Sequence, residues 1–212
     1  MTLRKDTDRR PCGVTNWLID EVKEPLLSRC IWVALNERRE SGSVLRPAGV
    51  LVPLYARDGQ LFTIFTKRTE LVEHHKGQIS FPGGTAKASD ANLWATATRE
   101  AEEETGIPSG RVLLLGALPK AVTVTDFEIS PFVGAVPYPI ELRKHAGEVA
   151  EILEIPISYL LDPQVAEERP VEWKGKEIRT LVYHYRGHAI WGATAHVLSD
   201  LLEVLRGEPP PA

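Results

Sequence analysis

Four glutamates crowd the end of one helical stretch, Arg99-Glu100-Ala101-Glu102-Glu103-Glu104-Thr105-Gly106-Ile107. At about 100° per residue, Glu100, Glu103 and Glu104 fall within an arc of roughly 100°, and Glu102 points away. Like charges at this spacing destabilise a helix, and anions near its C-terminus oppose the macrodipole. Gly106 reads as the residue just past the helix end, which puts the carboxylates at that unfavourable terminus. Two readings fit: a solvated acidic face, or a ligand set for a hard divalent cation, which prefers oxygen donors. Only the second gives the cluster a chemistry. A cation that bridges phosphate oxygens and acidifies an attacking water lowers the barrier to cleaving a pyrophosphate linkage. Glu100 and Glu104, one turn apart, make the best pair. Arg99, on the same turn, offers a contact for a substrate phosphate. Upstream, Gly83 and Gly84 allow close approach of backbone to metal or phosphate, as glycines in ordinary turns also do. Asp90 reads as a helix N-cap.

The stretch from Gly83 to Ile107 resembles the Nudix box, G-x5-E-x7-R-E-U-x-E-E-x-G-U with U aliphatic. Arg99 to Ile107 fits the second half at every fixed position, with Ala101 a small member of the U class. The first half departs: counted from Gly84, the acid is Asp90 in place of Glu, and one extra residue precedes Arg99. That variation resembles the coenzyme A diphosphatase branch. The resemblance implies that Glu100 and Glu104 are the principal ligands of Mg²⁺ or Mn²⁺, with Glu103 assisting in a second metal site, and that Arg99 orients the glutamates by ion pairing, a role preferred over a phosphate contact. It further implies a mixed-sheet α/β/α sandwich.

The lead-in is similar to a second motif of the same branch, L-L-T-x-R-[SA]-x3-R-x3-G-x3-F-P-G-G. Here it runs Ile64-Phe65-Thr66-Lys67-Arg68-Thr69, then Gly77, then Phe81-Pro82-Gly83-Gly84. Arg68 is the first motif arginine: a phosphate contact with a fixed charge and a fork of donors, or a surface arginine at a strand end. The second motif arginine falls on Glu73, beside His74, His75 and Lys76. Thr123–Gly134 and Ile190–Ala195 also resemble segments of the branch. A general base is sought in Glu148 or Glu151, since the family's strand in this region often carries a glutamate. Period two would set them on opposite faces, and Glu148 is favoured. The resemblance implies hydrolysis of coenzyme A or a derivative to 3′,5′-ADP and 4′-phosphopantetheine. Glu73 keeps ADP-ribose, NADH and nucleotide-sugar pyrophosphatases as alternatives. A non-catalytic nucleotide-binding module is a further alternative that the intact glutamate set opposes.

The elements that must hold these residues follow from pattern. At 212 residues the chain suits one domain of ordinary size. Hydrophobic content of 43% with 25% charged residues is that of a globular protein. A net charge of −4 gives no sign of a nucleic-acid surface, and the resemblance implies a small nucleotide as the partner. Only Cys12 and Cys30 are present, against a disulfide scaffold and in keeping with a cytoplasmic enzyme. No apolar run approaches the roughly 20 residues that span a bilayer. Residues 1–45 read as a polar tail and a helical extension from Thr15 to Arg39, divided at Pro25 and jointed at Ser41-Gly42-Ser43. That extension would form a homodimer or a lid, or pack on the core. Residues 46–206 form the catalytic domain and 207–212 a tail. Within the domain, strands are expected at Ala48–Ala56 and Gln60–Lys67 around an Asp58-Gly59 turn. Further strands are expected at Val112–Leu118, Phe127–Val136, Glu148–Ile155 and Ile178–Tyr185, with a final helix over Thr194–Leu205.

Overall fold

A computed structural model describes residues 45–70, 77–123, 125–173 and 175–207, together with Ile19 and Lys23. The extension over Thr15–Arg39, the joint at residues 41–43, Glu73 with its His74, His75 and Lys76 neighbours, and residues 208–212 lie outside the described residues, apart from Ile19 and Lys23. Ile19 packs against the larger core.

The largely apolar run Arg46–Arg57 forms β1, which turns through Asp58 and Gly59 into β2 at Gln60–Arg68. Both turn residues have positive φ, as a two-residue hairpin of matching twist requires. β1 also pairs antiparallel with β4, Gly83–Thr85, and parallel with β7, Phe127–Ala135. Around these lie β3, Ile79–Ser80, on β2; β5, Leu113–Ala117, and β6, Ala121–Val122, on β7; and β8, Val149–Pro156, on β2. The result is an eight-stranded mixed sheet.

Alternation along β1 divides the core. Leu51 faces helix α1, Leu93–Thr105, where it meets Ala97, Ala101 and Phe132. Small residues let the helix lie close: a Cβ at Gly49 would meet Leu93 O at 2.3 Å. Val52 and Leu54 face the other way, into a larger core with Leu198, Leu201 and Leu202 of helix α3, Gly192–Arg206. The short α2, Ile157–Leu160, follows β8. Helices thus cover both faces, and the α/β/α sandwich with a mixed sheet is the architecture found. Among the described residues no helix is long and apolar enough to cross a membrane.

Two features depart from the sequence reading. Ala166–Trp173 is a strand, β9, in a separate antiparallel sheet with β10, Lys176–Tyr185, and β11, His188–Ile190. Glu167 to Glu172 are exposed on both faces, so the segment carries no hydrophobic alternation, and its extended form rests on pairing with β10. The second departure is in β8, which starts at Val149 and leaves Glu148 in the preceding loop. A register shift sets Arg68 opposite Val149 although Lys67 is opposite Glu151, so Ala150 is the extra residue of a bulge. The bulge breaks the period-two argument that set Glu148 and Glu151 on opposite faces of one strand.

Candidate active site

Asn92 starts α1, its side chain accepting from the Ala95 N–H at 2.8 Å, and Gly106 ends it in the left-handed region at φ 75°. The N-cap role expected of Asp90 therefore falls to Asn92. The last carbonyls of the helix are met from outside: Arg143 N–H donates to Thr105 O at 2.8 Å and His145 N–H to Glu104 O at 3.1 Å. These donors stabilise a helix end burdened with acids.

Glu104 lies at the heart of the site. It is 3% exposed, and burial pushes its carboxyl up to about 8. Arg68 and the Gly83 N–H pull the other way, whereas Glu100 and Glu148 add to the rise. The Gly83 N–H donates to Glu104 Oε2 at 3.3 Å, and Arg68 Nη1 lies 3.9 Å from Oε1. The Arg68 Nε–H is buried without a hydrogen-bond acceptor among the described residues. Glu100 sits over the next glycine: a Cβ on Gly84 would be 2.7 Å from its carboxylate carbon. The glycine pair thus belongs to a strand, β4, against which both carboxylates lie.

Arg99 is committed to carboxylates. Its Nε and Nη2 each donate to Asp90 at 2.9 Å, and Nη1 donates to Glu100 at 2.6 Å and to Glu103 at 3.2 Å. Its fork holds the Asp90 carboxyl well below the usual carboxylate range, and Asp90 in turn raises the guanidinium. Glu103 is 51% exposed on its side chain and lies between Arg99 and Lys87. Desolvation, the largest single influence, pushes its carboxyl up, but the hydrogen bonds and charges of Arg99 and Lys87 together outweigh it and hold the carboxyl low. Glu102 points away and accepts from the Ser109 hydroxyl at 2.6 Å.

The loop before β8 brings Glu148 to this side. Thr69 pins it, its N–H donating to Glu148 O at 2.9 Å and its hydroxyl to Gly147 O at 3.1 Å. Glu151 instead faces His188, with 3.5 Å between Oε2 and Nε2. Of the two candidate bases, Glu148 is the one whose charge reaches Glu104.

The donor set suits a hard cation. Among the described residues no three His, Cys, Asp or Glu side chains form a ready-made cage. Mg²⁺, however, is held by one or two carboxylates and completes its shell with water and substrate phosphate. Glu100 and Glu104 against the glycine strand are such a pair, and a cation would relieve the cost of ionising buried Glu104. The orphaned Arg68 donor favours an anion in the same place. One pairing and one residue at the site escaped the sequence reading. Asp90 as the Arg99 partner could not be found from a spacing of nine residues across a loop. Lys87 left one signal: it is the sole lysine or arginine between Gly84 and Arg99.

An acidic helix laid on a glycine strand, with an arginine facing its buried acid, belongs to an α/β/α domain. Comparison with known proteins gives its family. The family described as NUDIX domain matches residues 45–181. A protein of Enterobacter sp. (strain 638) named uncharacterized Nudix hydrolase NudL is 36% identical over 156 residues, 74% of this chain and 81% of its own. One of the same name from Klebsiella pneumoniae subsp. pneumoniae is 34% identical over 176 residues, 83% of this chain and 87% of its own. The crystal structure of a Nudix hydrolase from Alicyclobacillus acidocaldarius, 20% identical, aligns over 57% of this chain and 83% of its own with a TM-score of 0.48. The chain belongs to the Nudix family, whose hydrolases cleave nucleoside diphosphates linked to another moiety.

Proposed function

We propose that this protein is a Mg²⁺- or Mn²⁺-dependent diphosphatase of coenzyme A or its derivatives, working in the cytoplasm. The observation that carries the reading is Glu104: a carboxylate buried beside Arg68, with the Gly83 N–H on it and an unused Arg68 donor at hand. Glu100 and Glu104 would hold the cation, with Glu103 assisting. When bound, the cation supplies charge neutralisation on the diphosphate and lowers the pKa of the attacking water. Arg68 binds and orients the substrate phosphates, and Gly83 and Gly84 let the diphosphate approach the backbone. Arg99, held by Asp90, fixes Glu100 and Glu103. Glu148 accepts the proton as water adds to one phosphorus and the bridging P–O bond breaks. The products are 3′,5′-ADP and 4′-phosphopantetheine.

Support for the substrate comes from the sequence from Ile64 to Gly84, with its similarity to the coenzyme A motif. Glu73 at a motif arginine position favours a second reading, a pyrophosphatase of ADP-ribose or NADH, because it removes a cation that could meet a phosphorylated ribose. A panel of coenzyme A, 3′-dephospho-coenzyme A, ADP-ribose and NADH, incubated with Mg²⁺ or Mn²⁺ and resolved by product mass, separates the two. Preferred turnover of coenzyme A over its dephospho form is the expected outcome. Equal turnover of those two, with ADP-ribose faster, selects the second reading.

A further inference from the structure

The loop between β4 and α1 sends a cation back over the acidic helix. Lys87 Nζ lies 3.4 Å from both carboxylate oxygens of Glu103 and 3.9 Å from Glu100 Oε1. The loop that carries it is fixed: the Lys87 N–H donates to Asp90 Oδ2 at 2.9 Å. Asp90 is itself held by the Arg99 fork and by the Thr96 hydroxyl at 2.9 Å. Two cations therefore already neutralise Glu100 and Glu103, and they are held very differently. Arg99 is half-buried, makes its shortest bond at 2.6 Å, and is anchored to Asp90. The Lys87 side chain is 53% exposed and its contacts are longer than the 2.7–2.9 Å of strong charge-assisted bonds. A compact ammonium on a flexible stem leaves such a position readily, whereas the anchored guanidinium does not.

We propose that Lys87 is a built-in counter-ion that a divalent cation must displace from Glu100, so that this residue sets the metal affinity of the site. The proposal rests on the reading of Glu100 as a metal ligand. Displacement trades one positive charge for two near the same carboxylates, and the departing ammonium continues to oppose the incoming ion at short range. The test is Mg²⁺ and Mn²⁺ binding to the full-length protein by isothermal titration calorimetry at constant ionic strength, without substrate. Lys87→Gln should tighten Kd about three- to tenfold. Lys87→Arg, which keeps the charge, should stay within about twofold of wild type. Wild-type binding with an unchanged or weaker Kd in Lys87→Gln overturns the role of Lys87 and leaves the metal reading in place. Absence of divalent binding to both wild type and Lys87→Gln overturns the metal reading, and the counter-ion proposal falls with it.

Discussion

Asp90 and Arg99 share the strongest-looking ion pair of the site, two hydrogen bonds of 2.9 Å to a carboxylate only 6% exposed. An acid held this way ionises more easily in the folded protein than in the unfolded chain. The unfolded chain therefore takes up the proton first as pH falls. Its contribution is fully present above the ordinary aspartate value near 4 and is lost on descent through the lowered folded value. We expect Asp90→Asn to lower stability at neutral pH by about 1–3 kcal/mol. It should also flatten the loss of stability below roughly pH 5, as read by urea unfolding across pH. Activity should fall as well, because Arg99 loses the anchor that aims it at Glu100. The sequence named Asp90 and Arg99 but not their bond. A nine-residue separation across a loop is set by tertiary structure and leaves no local period to read.

Strand β4 and helix α1 approach each other over a glycine pair, and the two glycines answer different needs. A Cβ at Gly83 would meet Gly49 O at 2.6 Å and Val50 Cα at 2.7 Å, which are fixed backbone atoms of β1. A Cβ at Gly84 would meet only the end of the Glu100 side chain, which can move. Gly83→Ala should therefore destabilise the protein by about 1–3 kcal/mol through forced separation of β1 and β4. Gly84→Ala should keep its melting temperature within a few degrees, on the order of what small surface changes do, and lose Mg²⁺-dependent hydrolysis by displacing Glu100. Comparable melting temperatures for the two variants would contradict this division. At this scale much was legible in advance. The Asp58-Gly59 turn, the helix ending at Gly106 and the apolar stripe of α3 each follow from local chemistry. β9 was hidden because Glu167, Glu168 and Glu172 give it no buried face, and the bulge at Ala150 because register belongs to the pair of strands.

The whole molecule can carry an unfavourable site because apolar packing holds both faces of the sheet. Leu198, Leu201 and Leu202 lock α3 to one face of the sheet, and Ala97, Ala101 and Phe132 lock α1 to the other. Helix α1 thus stays in place despite a buried acid whose carboxyl is pushed up to about 8. A raised carboxyl pKa means that the folded state holds the proton longer than the unfolded chain. The contribution of Glu104 to the stability of the metal-free protein therefore declines as pH rises from the ordinary glutamate range, near 4.3, through about 8. Glu104→Gln removes that cost, so at pH 8.5 the metal-free variant should be more stable than wild type by about 1–3 kcal/mol. For a domain of this size that is a melting temperature higher by roughly 2–10 °C. Divalent cation should invert the order. At a concentration about 100 times Kd it adds about 2.7 kcal/mol to wild type, a rise of roughly 5–10 °C, and little to Glu104→Gln, whose hydrolysis should be lost. Differential scanning calorimetry with EDTA and with Mg²⁺ or Mn²⁺ reads both halves of the comparison. A wild-type protein that melts at the same temperature with and without saturating metal would mean that the sheet holds these carboxylates for some purpose other than a cation.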